Sequence, residues 1–172
     1  METLKTTTSL HFKVFFFINV TPKIKLKYIS YQVRVKTKME GFKRALSCAE
    51  IEFDECKKDK RNHLKQKNKN KKCECCRLQY ILFEHDYKIK HLWVLLLKSI
   101  VNDSHMTYYL SICKKLVEYL HECVDVEGLN TGQYLDWTAH LKRYKDAFDD
   151  VVDDYTEYKI QQIKVTYLNK NK

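Results

Sequence analysis

Between Tyr134 and Val165, steps of three and four residues land on Tyr134, Trp137, Leu141, Tyr144, Phe148, Val151, Tyr155, Tyr158, Gln162 and Val165, all but Gln162 apolar or aromatic. At 3.6 residues per turn these side chains fall on one side of a helix. Neither Gly nor Pro interrupts the run, so it reads as one long helix whose aromatic face must be covered by the rest of the chain or by a partner. That requirement constrains the remainder: other segments have to supply apolar faces of matching kind. A chain of 172 residues is long enough for one domain with a real core and tails. Its three Gly and one Pro are too few for the many tight turns of an all-β fold.

Three further segments repeat the helical period. Met39, Phe42, Leu46, Ala49, Phe53 and Cys56 give a short amphipathic helix with an acidic exterior. Leu78, Leu82, His85, Ile89, Leu92 and Leu96 mark a second, and around Leu92–Leu97 the apolar character goes all the way round, which predicts the most buried turn of the domain. Asn102, Asp103 and Ser104 offer a helix stop followed by an N-cap. A third helix then carries Met106, Tyr109, Leu110, Cys113, Leu116, Val117 and Leu120 on its face. Gly128 and Gly132 break the chain before the closing helix, with Thr131 as its cap. The predicted fold is all-α, a bundle of about four amphipathic helices over 39–58, 76–101, 106–124 and 133–168.

The N-terminal segment reads differently. Leu10, Phe12, Val14, Phe16, Ile18 and Val20 alternate with other residues, a turn follows near Pro22, and alternation resumes from Lys23 to Val35 with a change of phase between Tyr28 and Ile29. This predicts a β-hairpin with a bulge, or else an extension without a selected fold. Residues 1–38 are therefore expected as a basic N-terminal extension or hairpin, and 39–172 as the bundle domain with a flexible basic segment at 57–72, a solvated linker or the frayed end of a helix.

A formal net charge of +10 suggests nucleic acid until it is located. Residues 1–38 hold 8 basic and 1 acidic side chains and residues 57–72 hold 9 and 1, while residues 73–172 hold 13 and 15. The candidate nucleic-acid- or partner-binding residues are Lys57, Lys58, Lys60, Arg61, Lys65, Lys67, Lys69, Lys71 and Lys72. Aromatic residues for base stacking are missing among them, so binding to nucleic acid would be weak, salt-sensitive and blind to sequence. A candidate acidic interaction face is formed by Asp146, Asp149, Asp150, Asp153, Asp154 and Glu157. At helical spacing these repel one another by a few tenths of a kcal/mol per pair unless a cation answers them, so the ladder reads as a solvated face, as the receiver of the basic 57–72 segment, or as the receiver of a basic partner.

Catalytic signatures are absent from the sequence: there is no Gly-rich phosphate loop and no local nucleophile-base spacing. Cys73, Cys75 and Cys76, with His63 and His85 on either side, invite a zinc hypothesis, but the spacing lacks the paired Cys-x2-Cys pattern of such sites. They read instead as a cysteine-rich helix start or as reactive thiols beside Lys71 and Lys72. No metal and no cofactor is expected. Seven cysteines without a regular framework imply free thiols in an intracellular protein, cytoplasmic or nuclear. The apolar run Val14–Val20 is too short for a transmembrane helix and lacks a cleavage site for a signal peptide.

Tyr144-Lys145-x-x-Phe148-Asp149, followed by Asp154-Tyr155, resembles the opening motif of the helical domain shared by occludin and a family of RNA polymerase II elongation factors. The likeness is confined to those residues, and no function is carried over from it. The functional expectation is a non-enzymatic interaction protein, an adaptor or complex subunit presenting a helical face to another protein. The alternative is a nucleic-acid-associated protein anchored by the Lys-rich run.

Overall fold

The computed structural model describes the backbone of residues 3–67 and 74–170, and the side chains of residues 26–62 and 74–170. Among the described residues the chain is all-helical, with α1 at Thr3–Lys67, α2 at Glu74–Val101, α3 at Met106–Glu122 and α4 at Thr131–Lys170. It divides into two compact units. One comprises residues 39–155, and the other joins residues 1–38 to residues 156–172, so both boundaries fall inside helices α1 and α4.

In the 39–155 unit α1, α3 and α4 pack around α2. Ile89, Leu96, Leu97 and Ile100 are fully buried; within the apolar turn Leu92–Leu97, Leu92, Val94, Leu96 and Leu97 are buried as expected and Trp93 and Leu95 are half-buried. From α1, Ala49 and Phe53 meet Val94 and Leu97, with Val151 of α4 and Trp93 against the same cluster. The aromatic face of α4 is covered from three sides. Phe42 of α1 and Tyr109 of α3 both contact the Tyr155 ring, at 6.2 and 4.6 Å between centroids, and Trp93 of α2 meets Tyr144 edge-on. Trp137, Leu141 and Phe148 are buried on that face as expected, whereas Tyr134 at its start is exposed.

Pairings fix the helix directions. His85 faces Tyr119 and, one helix over, Trp137, while Trp93 lies level with Tyr144. Thus α2 and α3 are antiparallel and α2 and α4 parallel. With Lys98 bonded to Glu50 and Lys60 to Glu84, α1 runs against α2. The unit is an up-down-up-down bundle, joined by short connections as such topologies allow.

Local chemistry sets the helix ends, and it corrects three expectations. Asp103 adopts φ 48°, and Ser104 N–H donates to Ser99 O while Asp103 N–H donates to Ile100 O. This is a Schellman stop with an aspartate in the position usually given to Gly. The α3 N-cap is His105, whose ring accepts from Thr107 N–H, not one of the three residues before it. Asn130, rather than Thr131, caps α4: its Oδ1 accepts from Gln133 N–H and its own N–H donates to Gln133 Oε1, a reciprocal box satisfying two otherwise orphaned donors. The buried face of α3 consists of Tyr109, Ile112, Leu116 and Leu120, and Met106 and Leu110 are exposed. Ile112 supplies the missing step of three that turns the stripe away from Met106 and Leu110.

In the other unit, residues expected as a β-hairpin belong to α1. The physical reason is legible in burial. Tyr28, Tyr31, Val35, Lys38 and Met39 are half-buried and their neighbours exposed, a spacing of three and four that continues without a step into Phe42, Leu46, Ala49 and Phe53. The change of phase at Tyr28–Ile29 is the helical period, not a bulge. Lys38 bonds Glu157 at 2.8 Å and Lys164 lies over the Tyr31 ring at 5.4 Å, which makes α1 and the end of α4 an antiparallel pair. The basic stretch beginning at Lys57 continues α1 through Lys67, so this part is a helix end, the second of the two expectations for it.

Candidate functional site

The predicted basic run is only partly a free cationic surface. Lys57 bonds Asp54 and stacks over Phe53, and Lys60 bonds Glu84 at 3.1 Å while its ammonium lies over the Tyr87 ring. Lys58 and Arg61 are exposed. Lys65 and Lys67 lie on α1 with side chains outside the described residues, as do Lys69, Lys71 and Lys72 altogether.

The acidic ladder is answered from its own helix. Lys142 bonds Asp146 and Lys145 bonds Asp149, each four residues ahead, the better orientation being the reverse one but the pairing still favourable. Asp150, Asp153 and Asp154 are exposed on the 39–155 unit, and Glu157 meets Lys38 in the other. The structure does not bring the described part of the basic run to this ladder. Cys75 and Cys76 are exposed on the first turn of α2, where Glu74 and Arg77 pair. Cys73 and the His63 side chain lie outside the described residues, among which no group of three metal-binding side chains converges.

Sequence reasoning missed a polar array inside the 39–155 unit. Asp86 of α2 accepts from Lys90 and pairs with His140 of α4, both at 2.8 Å. Burial pushes the Asp86 carboxyl up, but the hydrogen bonds from His140 and Lys90 outweigh it and hold the group below the ordinary carboxylate range. On the residue before Asp86, His85 Nδ1 lies 2.7 Å from the Tyr119 hydroxyl. Burial, helped by Lys88, lowers His85 and favours the neutral ring, while burial pushes Tyr119 up to about 12. Beside them opens a cleft of about 360 Å³ lined by Lys60, Tyr80, Glu84, His85, Lys88, His91 and Tyr119. Trp137 Nε1 donates to Cys123 O at 2.7 Å, closing the same end of the bundle.

What this array can do chemically is limited by its protonation states. Burial raises the Cys56 and Cys113 thiols and pushes Cys123 up to about 11, so thiolate is scarce there at neutral pH. Carboxylate, imidazole and ammonium are committed to one another, and they tie α2 to α4 rather than point at open space. No local spacing could have revealed it, because Asp86 and His140 are 54 residues apart.

The unit formed by residues 1–38 and 156–172 has a different composition. It holds 12 of the chain's 32 basic residues and 2 of its 22 acidic ones, leaving 20 of each in residues 39–155. The whole +10 therefore belongs to the smaller unit. It also exposes large apolar side chains: Leu26, Ile29 and Val33 along α1, and Ile160, Ile163 and Tyr167 along α4. Each trio follows the helical period and lies about half a turn from the face that meets the other helix. Both helices are thus apolar on two sides. Along α4 a groove of about 710 Å³ is lined by Lys159, Ile163, Val165, Tyr167 and Lys170, with Val35 the one lining residue from α1.

No family model, no curated protein and no solved structure matches this chain. Among the described residues no helix is long and apolar enough to cross a membrane.

Proposed function

We propose that the chain is a non-enzymatic, intracellular interaction module, an adaptor or complex subunit, and that its docking face is the helix pair made by the ends of α1 and α4. The observation that carries this reading is the coincidence of two unfinished properties in one small unit. Six large apolar side chains stand exposed on helical stripes, with Leu26 and Ile163 each 68% accessible, and the entire charge excess of the chain accompanies them. Single exposed apolar residues need no explanation, but stripes at helical spacing beside a groove are what helix-in-groove recognition uses. The free thiols of the six described cysteines suit a reducing compartment.

The charge also suits nucleic acid, which is the competing reading. Two observations weigh against it. The described Lys57 and Lys60 are engaged by carboxylates, and five of the six exposed side chains are aliphatic, whereas sequence-blind strand binding relies on aromatic plates. The test uses the full chain as bait at two salt concentrations, with and without nuclease, beside an Ile163→Asp, Tyr167→Asp variant. A protein partner retained after nuclease and lost with the variant is the expected result. Capture that disappears on nuclease treatment overturns it in favour of nucleic acid.

A further inference from the structure

The groove along α4, which Val35 of α1 also lines, has a floor, a rim and a length, and these restrict what fits it. Val35 and Val165 are half-buried at its base. Ile163 and Tyr167 stand over it one turn apart on α4, both about two-thirds exposed. Lys159 and Lys170 bound it, and the α4 lining from Lys159 to Lys170 extends about 17 Å at 1.5 Å per residue. That is the length of about three turns of a helix. Among the described side chains of this unit the one carboxylate is Glu157, and it meets Lys38.

We infer that this groove takes an acidic amphipathic helix supplied by a different protein, with aliphatic residues three and four apart set between Ile163 and Tyr167 and carboxylates against the flanking lysines. The inference rests on the interaction-module reading above and names the chemistry of its partner. Charge decides the sign: a unit with 12 basic and 2 acidic residues repels a basic or second identical helix pair and attracts an acidic one. Shape decides the class. A membrane surface is flat and would leave a concave groove unfilled, and a nucleic acid has no aliphatic ridge to bury against Val35 and Val165. A second copy of the folded chain cannot supply the occupant either. Its acidic helices are the 39–56 part of α1 and the Asp146–Asp154 part of α4, and their apolar faces, Phe42, Ala49 and Phe53 on one and Phe148 and Tyr155 on the other, are buried in its own bundle.

The experiment measures binding of dye-labelled peptides to the full chain by fluorescence anisotropy. One peptide of about four helical turns carries Leu at helical spacing and Glu elsewhere; a second keeps the Leu positions and replaces Glu by Gln. A double-stranded DNA oligonucleotide, a single-stranded RNA and vesicles of phosphatidylcholine with phosphatidylserine are measured beside them. The Glu peptide is expected to bind tightest, to weaken about tenfold with Ile163→Asp and Tyr167→Asp combined, and to weaken about threefold and lose most of its salt dependence with Lys159→Gln and Lys170→Gln combined. Unchanged thermal melting of these variants keeps a loss of binding distinct from a loss of folding. If the Gln peptide binds as well as the Glu peptide, the acidic partner is excluded while the helix-docking module stands. If neither peptide binds and the nucleic acids or the vesicles do, both the partner and the module reading are overturned.

Discussion

The two units are built from the same two long helices and teach different things about them. In residues 39–155 the stripes of α1 and α4 meet further apolar faces from α2 and α3, and the basic and acidic residues balance at 20 each. In residues 1–38 and 156–172 the same period of three and four continues, yet a second apolar stripe remains exposed on each helix and the charge does not balance. Helical periodicity reports that a helix forms and which face is apolar. It does not report whether the chain itself contains what covers that face. The four-helix unit buries a shared core while still exposing Ile51, Leu110 and Leu135; the two-helix unit exposes an apolar stripe on each of its helices.

The largest expected effect tests the shared core of the four-helix unit. Trp137 is 6% exposed, stacks on His140 and donates to Cys123 O. Trp137→Ala removes this packing and orphans a buried carbonyl, at a cost of about 3–5 kcal/mol, which is enough to unfold a marginal domain. A melt by circular dichroism checks it, and a shift of only a degree or two would mean that α4 is not part of a finished core.

Next in size is the polar tie between α2 and α4. Asp86→Asn leaves the His140 and Lys90 hydrogen-bond donors without their anion, at about 1–3 kcal/mol near neutral pH. The sign of the pH dependence follows from linkage. The folded Asp86 lies below its unfolded value, so its contribution is full above about pH 3.9 and is lost as pH falls through the folded value. His85 is also lowered, by burial, so the stability it contributes as a neutral ring is full above about pH 6.5 and declines as pH falls below that value. Wild-type stability should therefore fall in two acid steps. His85→Gln should remove the upper one, and Asp86→Asn should flatten the lower. An unchanged upper step in His85→Gln would assign it to another histidine.

A smaller effect of opposite sign is expected in the two-helix unit. Gln161 is 5% exposed and its Oε1 has no hydrogen-bond partner. Gln161→Met retains the length of the side chain and removes the buried acceptor, which should stabilise by about 1 kcal/mol. Hydrogen exchange of the α4 amides beyond Tyr155 reads it locally. Faster exchange in the variant would show that the amide contributes a bond to the native pair.

Much of the bundle is legible in the sequence because each helix carries an unbroken stripe and each break carries a stop. Phe42, Ala49 and Phe53, Ile89 and Leu96, and Trp137 and Leu141 are all buried, and the limits of α2, α3 and α4 lie within two residues of expectation, whereas α1 extends beyond 39–58 at both ends. The N-terminal half of α1 is misread because β-branched and aromatic residues satisfy a period of two as readily as one of 3.6 over short windows. The change of phase at Tyr28–Ile29 is the clue that favours the helix. The boundary at Tyr155–Thr156 has no sequence signal, since the stripe runs through it unaltered. Part of the ladder's answer was visible, in Lys142 and Lys145 four residues before Asp146 and Asp149. The Asp86–His140 pair was not, because it depends on how two helices register.

The smallest predicted effect is also the sharpest test of the contrast. Leu26, Ile29 and Val33 look like core residues by type, and in a finished unit their replacement would be costly. Here they are exposed on the face of α1 turned away from α4. Leu26→Gln, Ile29→Gln and Val33→Gln exchange β-branched or aliphatic residues for good helix formers that lose nothing by exposure. Melting should move by no more than about 0.5 kcal/mol per site, and solubility at high concentration should rise as the apolar stripe disappears. A cooperative loss of several degrees, comparable to that of a core variant, would place these side chains in a buried interface of the free protein. The two-helix unit would then be complete in itself or through self-association, and the difference between the two units would vanish.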